Sequence, residues 1–442
     1  MEQYVVAIDF GTSNITAMIA KKSVGGKISV LRTEKTDSEN CIRRGCIYNV
    51  DAAARKTEAL MNRLNEDYAK PKLNAPIERA YVGIGGQSLH IEQYSITKRV
   101  AGETIQQQLL DEIAHEIKRY KPDLYEVLEI LPPEYYVDGQ LIGNPQGTTA
   151  SSIEARFRLI VVSNPSLKML IERAIPENVE IAGYIVAPLA TAAAVLDKKE
   201  KELGCALVEF GAGITYVSIY KDGQLRYLVT IPLGGLVITR DIRCLNVSEE
   251  EAENLKKNYG SAVLDMKDET KITIDAGLNT EREIGVRNLN AIVEARMDEI
   301  LANVIYQIDE SGYADALSGI IITGGGAMLH RLEESFRKKT DKNIRLAYPV
   351  AGGTNKPAED ATIIGLLTIA DGECVDAGAK VVQTSEQPEQ SEQRTSFKRF
   401  RNKKNILDRL VNDLFEIDNI DVNNINNDPS NTENYDNNDA DH

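Results

Sequence analysis

Val5–Ala20 reads VVAIDFGTSNITAMIA. An apolar run of strand character ends in Asp9, a Phe-Gly-Thr-Ser-Asn turn follows, and a second strand-like run starts at Ile15. Gly11 lets the backbone approach a ligand closely, while Thr12, Ser13 and Asn14 supply hydroxyl, amide and main-chain N–H donors. Asp9, at the end of a buried strand, can reach a cation through its water shell. The layout suits a polyphosphate with Mg²⁺, although apolar runs before a glycine turn are also common hairpin pieces.

A second copy strengthens the phosphate reading. Cys205–Ile231 reads CALVEFGAGITYVSIYKDGQLRYLVTI, so that Glu209-Phe210-Gly211 aligns with Asp9-Phe10-Gly11. Each copy runs strand, carboxylate-Phe-Gly turn, strand, glycine turn (Gly25-Gly26, then Asp222-Gly223), strand. A duplicated three-stranded unit predicts two like-folded lobes, with the two turns clamping one phosphate chain across a cleft. Glu209, Gly211, Ala212, Gly213 and Thr215 would form the second half of that clamp. A third glycine element, Gly324-Gly325-Gly326-Ala327, ends another apolar run, and no GK[ST] or GxGxxG is present. Three such elements in this order resemble the actin, sugar-kinase and heat-shock-chaperone ATPase superfamily. There they are the first phosphate loop, the second phosphate loop and the adenosine loop, which implies ATP with Mg²⁺ held near Asp9 and Glu209.

Composition sets broad bounds. The chain has 442 residues, 42% of them hydrophobic and 27% charged, with room for several subdomains and a real core. Cysteines 41, 46, 205, 244 and 374 show no metal spacing and fit a reducing cytosol. No signal peptide is expected ahead of the first strand, and no run of about 18 apolar residues occurs to cross a membrane. A net charge of −16 argues against nucleic acid as a partner, and half of it comes from the eight acids of 416–442.

In chain order, Ala53, Thr57, Leu60, Leu64 and Tyr68 fall at helical spacing over 52–69. Arg79–Gly86 reads as a strand into a glycine turn, followed by a strand over 88–100. Thr104 is expected to cap a helix carrying Ile105, Leu109, Ile113 and Ile117 on one face. Strands are expected at 124–131, 135–138 and 155–162, so that 84–162 reads as an inserted α+β subdomain. A helix over 166–174 and a strand over 181–186 precede an Ala-rich helix over 187–196, whose small side chains suit close packing of two lobes. Where the chaperones place a water-positioning Glu before the proline of this segment, the chain has Ala187, so hydrolysis is expected to be slow or absent. Ser248 and Glu251 predict a capped helix closed by Gly260. Glu253 and Lys256 lie one turn apart on it; either they form a solvated ion pair, or, as in the superfamily, they face the adenosine. A hairpin over 267–284, a long amphipathic helix over 288–310 and a second connecting helix over 359–370 complete the body.

Several strings narrow the resemblance. VEFGAGITYVSIYKDGQL, IPLGGLVITRDI at 231–242, EEAENLKKNYGSA, IIITGGGAML, YVGIGGQSLH, ILPPEYYVDG and NPQG at 144–147 are similar to the bacterial FtsA division family over roughly 1–372. The resemblance implies an α/β, actin-like two-lobed ATPase fold with duplicated mixed sheets and a relocated subdomain. Its parts would be 1–83, 163–202 and 358–382 (subdomain IA), 84–162 (IC, SHS2-like), 203–242 and 317–357 (IIA), and 243–316 (IIB). It further implies ATP binding, head-to-tail protofilaments, and capture of the C-terminal peptide of the tubulin-like protein FtsZ by 243–316. Arg282, Arg287 and Arg296 are candidates to meet that acidic peptide. It also implies recruitment of later division proteins and a peripheral place on the cytoplasmic face of the inner membrane at the division septum. The chain departs from the family at Glu209, where Asp is usual, and at Ala212 and Ile214, which replace a Gly and a Thr. These changes put efficient Mg²⁺-assisted hydrolysis in question while leaving backbone amides to hold phosphate. An active ATPase or small-molecule kinase, or a pilus-assembly adaptor, are the rival readings on this fold.

The C-terminal stretch bears on the membrane. Residues 383–395 read as a flexible Gln/Glu/Ser-rich linker. Over 396–417, Phe397, Phe400 and the basic Lys398, Arg399, Arg401, Lys403 and Lys404 precede an apolar face of Leu407, Leu410, Val411, Leu414 and Phe415. Basic residues beside an apolar face suit an amphipathic helix on anionic lipid, against the alternative of a helix docked on the body. Residues 418–442 form an acidic Asn/Asp-rich tail, expected to be disordered.

Overall fold

The computed structural model describes residues 3–66, 76–163, 166–275 and 281–375. The linker, amphipathic helix and acidic tail expected over 383–442 therefore lie outside the described residues, as does Tyr68.

The first copy of the duplicated unit forms strands Gln3–Phe10, Asn14–Lys22 and Ile28–Asp37, paired antiparallel in sequence. Val5, Val6, Ala7 and Ile8 are all fully buried, because this central strand is covered on both faces. Arg79–Ile84 adds to it in parallel and Glu180–Val186 adds to that, also in parallel. The second copy forms Cys205–Phe210, Thr215–Lys221 and Gln224–Ile231, with Gly319–Thr323 and then Asn343–Leu346 added in parallel. The two lobes thus share one strand order, third-second-first-fourth-fifth, which is the duplication written in hydrogen bonds. This is an actin-like ATPase fold.

Two helices, Ala187–Val195 and Ala361–Ile369, cross between the lobes. The expectation of small residues at this contact holds: Ala190 is fully buried, and a Cβ placed on Gly365 would come within 1.9 Å of its carbonyl oxygen. Pro188 stands in the first turn of the first helix, where its missing N–H costs nothing. In the second lobe, helix Val286–Glu310 buries Leu289, Val293, Met297, Ile300, Leu301, Val304 and Ile308, while Ile292 and Ile305 are partly covered. At roughly 1.5–3 kcal/mol per apolar side chain, this stripe is a substantial anchor of that lobe.

The insertion contains strands His90–Thr104, Glu126–Ile130, Glu134–Val137, Gln140–Ile142 and Thr149–Val162 and helix Gln107–Arg119. The helix starts later than its sequence suggests. Thr104 ends a strand rather than capping the helix, and Gln106 takes the cap position. The long strand Thr149–Val162 holds residue 104 in its ladder through Thr149, and Ile105 is tied down on either side by backbone bonds with Gly147 and Thr148. Leu110, Ile113 and Ile117 form the buried stripe, with Leu109 at its margin. The sheet of the insertion is continuous with that of the second lobe, giving ten strands among the described residues.

Candidate functional site

The two carboxylate-Phe-Gly turns have the same local construction. Gly11 N–H donates to Asn14 O at 3.0 Å, and Gly211 N–H donates to Ile214 O at 2.9 Å. In each, a Cβ on the glycine would sit 2.9 Å from the oxygen it bonds, so only glycine closes the turn. Phe10 and Phe210 point into the cores of their lobes. The turns approach each other: Gly213 packs on the Thr12 side chain, whose hydroxyl in turn accepts from Gly45 N–H at 2.9 Å. Helix Gly235–Ile242 supports the second turn from below, with Gly235 and Leu236 N–H donating to the carbonyls of Gly211 and Ala212.

One cavity of about 340 Å³ collects nearly all of the predicted residues. Asp9, Gly11, Thr12, Ser13, Asn14, Glu209, Gly211, Ala212, Glu253, Lys256, Gly324, Gly325 and Gly326 line it. Three stand outside its wall. Thr215 is buried behind the second turn and donates to Leu233 O at 2.8 Å, Ala327 is buried behind the third glycine element, and Gly213 braces the first turn. Gly324 has φ +91° and lies so close to Phe210 O that a Cβ would meet it at 2.5 Å, which keeps the third element against the second turn.

Asp9 and Glu209 face the same space. Burial pushes the Asp9 carboxyl up to about 7, and the neighbouring Glu209 adds to the rise. Burial raises Glu209 as well, while hydrogen bonds from Thr362 and Thr191 pull the other way. Thr362 donates to Glu209 Oε1 at 2.7 Å, and Glu209 Oε2 is buried with no hydrogen-bond partner among the described residues. Two carboxylates around one cavity, one with an unused oxygen, fit a hydrated divalent cation. No cluster of three or more metal-ligating side chains occurs among the described residues, so most of such an ion's shell would be water or ligand.

Ser248 caps helix Glu249–Tyr259 as its spacing predicts, accepting from Glu251 N–H, and the helix brings Glu253 and Lys256 to the cavity wall. Lys256 gives its three protons to Gly235 O at 3.0 Å, Thr239 Oγ at 2.8 Å and Glu253 Oε2 at 2.6 Å. Burial favours a neutral Glu253, but Lys256, helped by Thr239 and Lys257, outweighs it and holds the carboxyl below its ordinary value. Burial lowers the Lys256 ammonium despite that carboxylate. The pair is thus an ion pair that also forms part of the cavity wall.

The structure adds residues that spacing did not single out. Lys35 lines the cavity and pairs with Glu359 at 2.6 Å and Asp360 at 2.7 Å. Thr362 reaches Glu209, and Thr191 lies 3.0 Å from Thr362, so both interlobe helices touch the acidic centre. Ile238, Met328 and Leu329 provide apolar wall to the cavity. Ala187 also lines the cavity, bringing no carboxylate from the first interlobe helix.

The three arginines differ in their freedom. Arg282 donates to the carbonyls of Leu245 and Asn246, and Arg296 is paired with Asp241 and Glu299. Arg287 is exposed. No helix among the described residues is long and apolar enough to cross a membrane.

Fold and cavity together define an actin-like protein with a cavity between paired glycine turns. Comparison with known proteins narrows the class. The family model "Cell division protein FtsA" matches residues 206–365, and "SHS2 domain inserted in FTSA" matches 86–161. The chain is 35% identical to the cell division protein FtsA of Porphyromonas gingivalis over 387 residues, covering 85% of this chain and 80% of that one. It is 29% identical to FtsA of Bacillus subtilis over 385 residues, 85% of each chain. The chain belongs to the FtsA family of cell division proteins. Among solved structures, a PilM–PilN type IV pilus biogenesis complex aligns with TM-score 0.57 at 13% identity, covering 82% of this chain and 97% of that one, a likeness of fold.

Proposed function

We propose that this chain is an ATP-binding cell division protein that polymerises head to tail on the inner face of the cytoplasmic membrane, tethers FtsZ filaments there and recruits later division proteins at the septum. One observation carries the nucleotide part: two glycine turns built alike face each other across a cavity that is also lined by the partly buried Glu253–Lys256 pair. The turns would hold phosphates through backbone N–H groups. Asp9 and Glu209 would hold the water shell of Mg²⁺, which when bound offsets phosphate charge. Glu253 and Lys256, with Gly324–Gly326, would hold the adenosine. Ala187 offers no base to a water beside the phosphates, so the site is built for binding more than for turnover.

The division of labour follows the proposed subdomains. The regions 1–83, 163–202 and 358–382 with 203–242 and 317–357 would form the nucleotide-dependent body, and 84–162 a surface for protofilament and division-protein contacts. The region 243–316 would take the FtsZ peptide, with Arg287 the arginine least committed to internal partners. The basic, apolar segment 396–417 would bind anionic lipid modestly as a monomer, and polymerisation would add avidity.

Liposome co-sedimentation with ATP tests the reading. The full chain should pellet with vesicles containing anionic lipid and carry an FtsZ C-terminal peptide with it, whereas a chain ending at Val382 should stay in solution. A full chain that leaves the vesicles, or that pellets without the peptide, overturns the tether. Steady ATP turnover would then favour the enzyme reading.

A further inference from the structure

The insertion belongs to the first lobe by chain connection. Strand Arg79–Ile84 leads into it, and helix Leu167–Ala174 and strand Glu180–Val186 return to the same sheet. Its non-covalent attachments lie mainly on the second lobe. His90 pairs with Val229, so the insertion's longest strand extends the second lobe's sheet. Gly86 N–H donates to the Tyr216 hydroxyl at 2.9 Å, and the Thr230 hydroxyl lies 3.0 Å from the carbonyl oxygens of both Gly86 and Leu89.

An ionic knot fastens the far side. Glu134, on the insertion, receives Arg226 from the second lobe and Arg158 from the neighbouring strand. Arg158 also donates to Gln224 Oε1 at 2.6 Å, and Arg226 to Lys221 O at 3.1 Å. The two arginine side chains are each only 10% exposed and Glu134 17%. Burial alone would raise the Glu134 carboxyl, yet the two guanidinium groups hold it below its ordinary value. Removing one member of such a cluster strands the others in a poorly solvated place. The fastening to the first lobe is lighter: Lys168 meets Glu126 at 3.1 Å with both side chains partly in water, and Ser163 N–H donates to Ser88 Oγ.

One of these attachments borders the cavity. Tyr216 and Gly85 line it, and a Cβ on Gly85 would meet the Tyr216 hydroxyl at 2.4 Å. A change in the separation of the lobes would therefore load the contact of Gly85 and Gly86 with Tyr216.

We infer that the insertion is a clasp carried by the first lobe and fastened on the second through Glu134, Arg226, Arg158 and Gln224, so that its seating and occupation of the interlobe cavity are thermodynamically coupled. The coupling rests on the nucleotide reading above; the clasp itself does not. Because coupling is reciprocal, a protein that docks on the insertion and tilts it changes ligand affinity, and ligand changes that docking by the same factor.

Hydrogen exchange on the full chain, with and without ATP and Mg²⁺, reads both halves. ATP should slow exchange over 90–104 and 149–162 in the parent. Arg226→Ala should speed exchange there and weaken ATP binding, measured by calorimetry, about fivefold or more. Gln224→Ala, which removes one partner of Arg158 and no charge, should move both readings the same way by less, and it serves if Arg226→Ala does not fold. Faster exchange with ATP affinity unchanged overturns the coupling. Unchanged exchange over 90–104 overturns the clasp. A parent chain that binds no ATP removes the nucleotide reading and the coupling, while the exchange comparison still decides the clasp.

Discussion

Substituting Gly365 with Ala sets two sizeable effects against each other. In the middle of helix Ala361–Ile369 the change gains about 1 kcal/mol of helix propensity. Against this, the new Cβ would sit 1.9 Å from Ala190 O and 2.2 Å from its carbonyl carbon, both main-chain atoms that cannot rotate away. Restoring a contact of about 3 Å requires the helices to part by about 1.1 Å, and a gap of that size forfeits a quarter to a half of each dispersion contact across it. Ile363, Ile364, Leu366 and Leu367 are buried on this helix, at roughly 1.5–3 kcal/mol each when fully packed. Losing a fraction of that, with overpacking strain, outweighs the propensity gain and leaves a net destabilisation of about 2–4 kcal/mol. The same displacement would draw Thr362 away from Glu209. Urea unfolding followed by circular dichroism should show a lower midpoint with an unchanged slope, together with weaker ATP binding. A variant as stable as the parent, or more so, would refute the close crossing.

Two further substitutions test the cavity. Asp9 has its carboxyl raised from 3.8 to about 7, so the folded chain keeps a proton that the unfolded chain has already lost. Its contribution is fully present below about pH 4 and is lost as pH rises through about 7, at up to about 1.4 kcal/mol per pH unit. Asp9→Asn should flatten that decline when melting is followed from pH 4 to 8 without nucleotide or divalent cation, and parallel curves for parent and variant would contradict it. Lys256→Met leaves Glu253 without its principal partner and should cost about 1–3 kcal/mol of stability and about tenfold or more in ATP affinity. Unchanged affinity by calorimetry would move the adenosine away from this part of the cavity.

The sequence carried the parts of the site that are local. The carboxylate-Phe-Gly segment between two strands closes the same local turn in both copies. The cap at Ser248 and the i, i+3 pair of Glu253 and Lys256 were legible for the same reason. Helix Lys198–Leu203 also had a readable signal, since Asp197 and Glu200 form a reciprocal cap that resembles the Ser/Thr pattern. Helix Gly235–Ile242 did not, because Gly234, Gly235 and the β-branched Val237, Ile238 and Thr239 are poor helix formers and its start is fixed by carbonyls of the second turn. Lys35, Thr362 and Glu359 reach the cavity only through the crossing of distant elements, with Thr191 packed behind Thr362, and no spacing records that. The seating of the insertion was hidden likewise: Glu134, Arg158 and Arg226 meet across sequence gaps that no periodicity bridges.

The first strand of the chain is finished by its last described residues. Tyr4 N–H donates to Glu373, 369 positions away, Cys374 N–H donates to Tyr4 O, and Lys22 reaches the carbonyl of Thr368. The five strands of the second lobe's duplicated sheet, by contrast, lie between Cys205 and Leu346. During synthesis at about 5–20 residues per second, Val5–Ile8 therefore waits about 20–70 s for its covering helix while the second lobe can already close. For that interval the most apolar strand of the first lobe is open to the cytoplasm of the translating cell, and its safe passage becomes a matter of chaperone occupancy and elongation rate rather than of final stability.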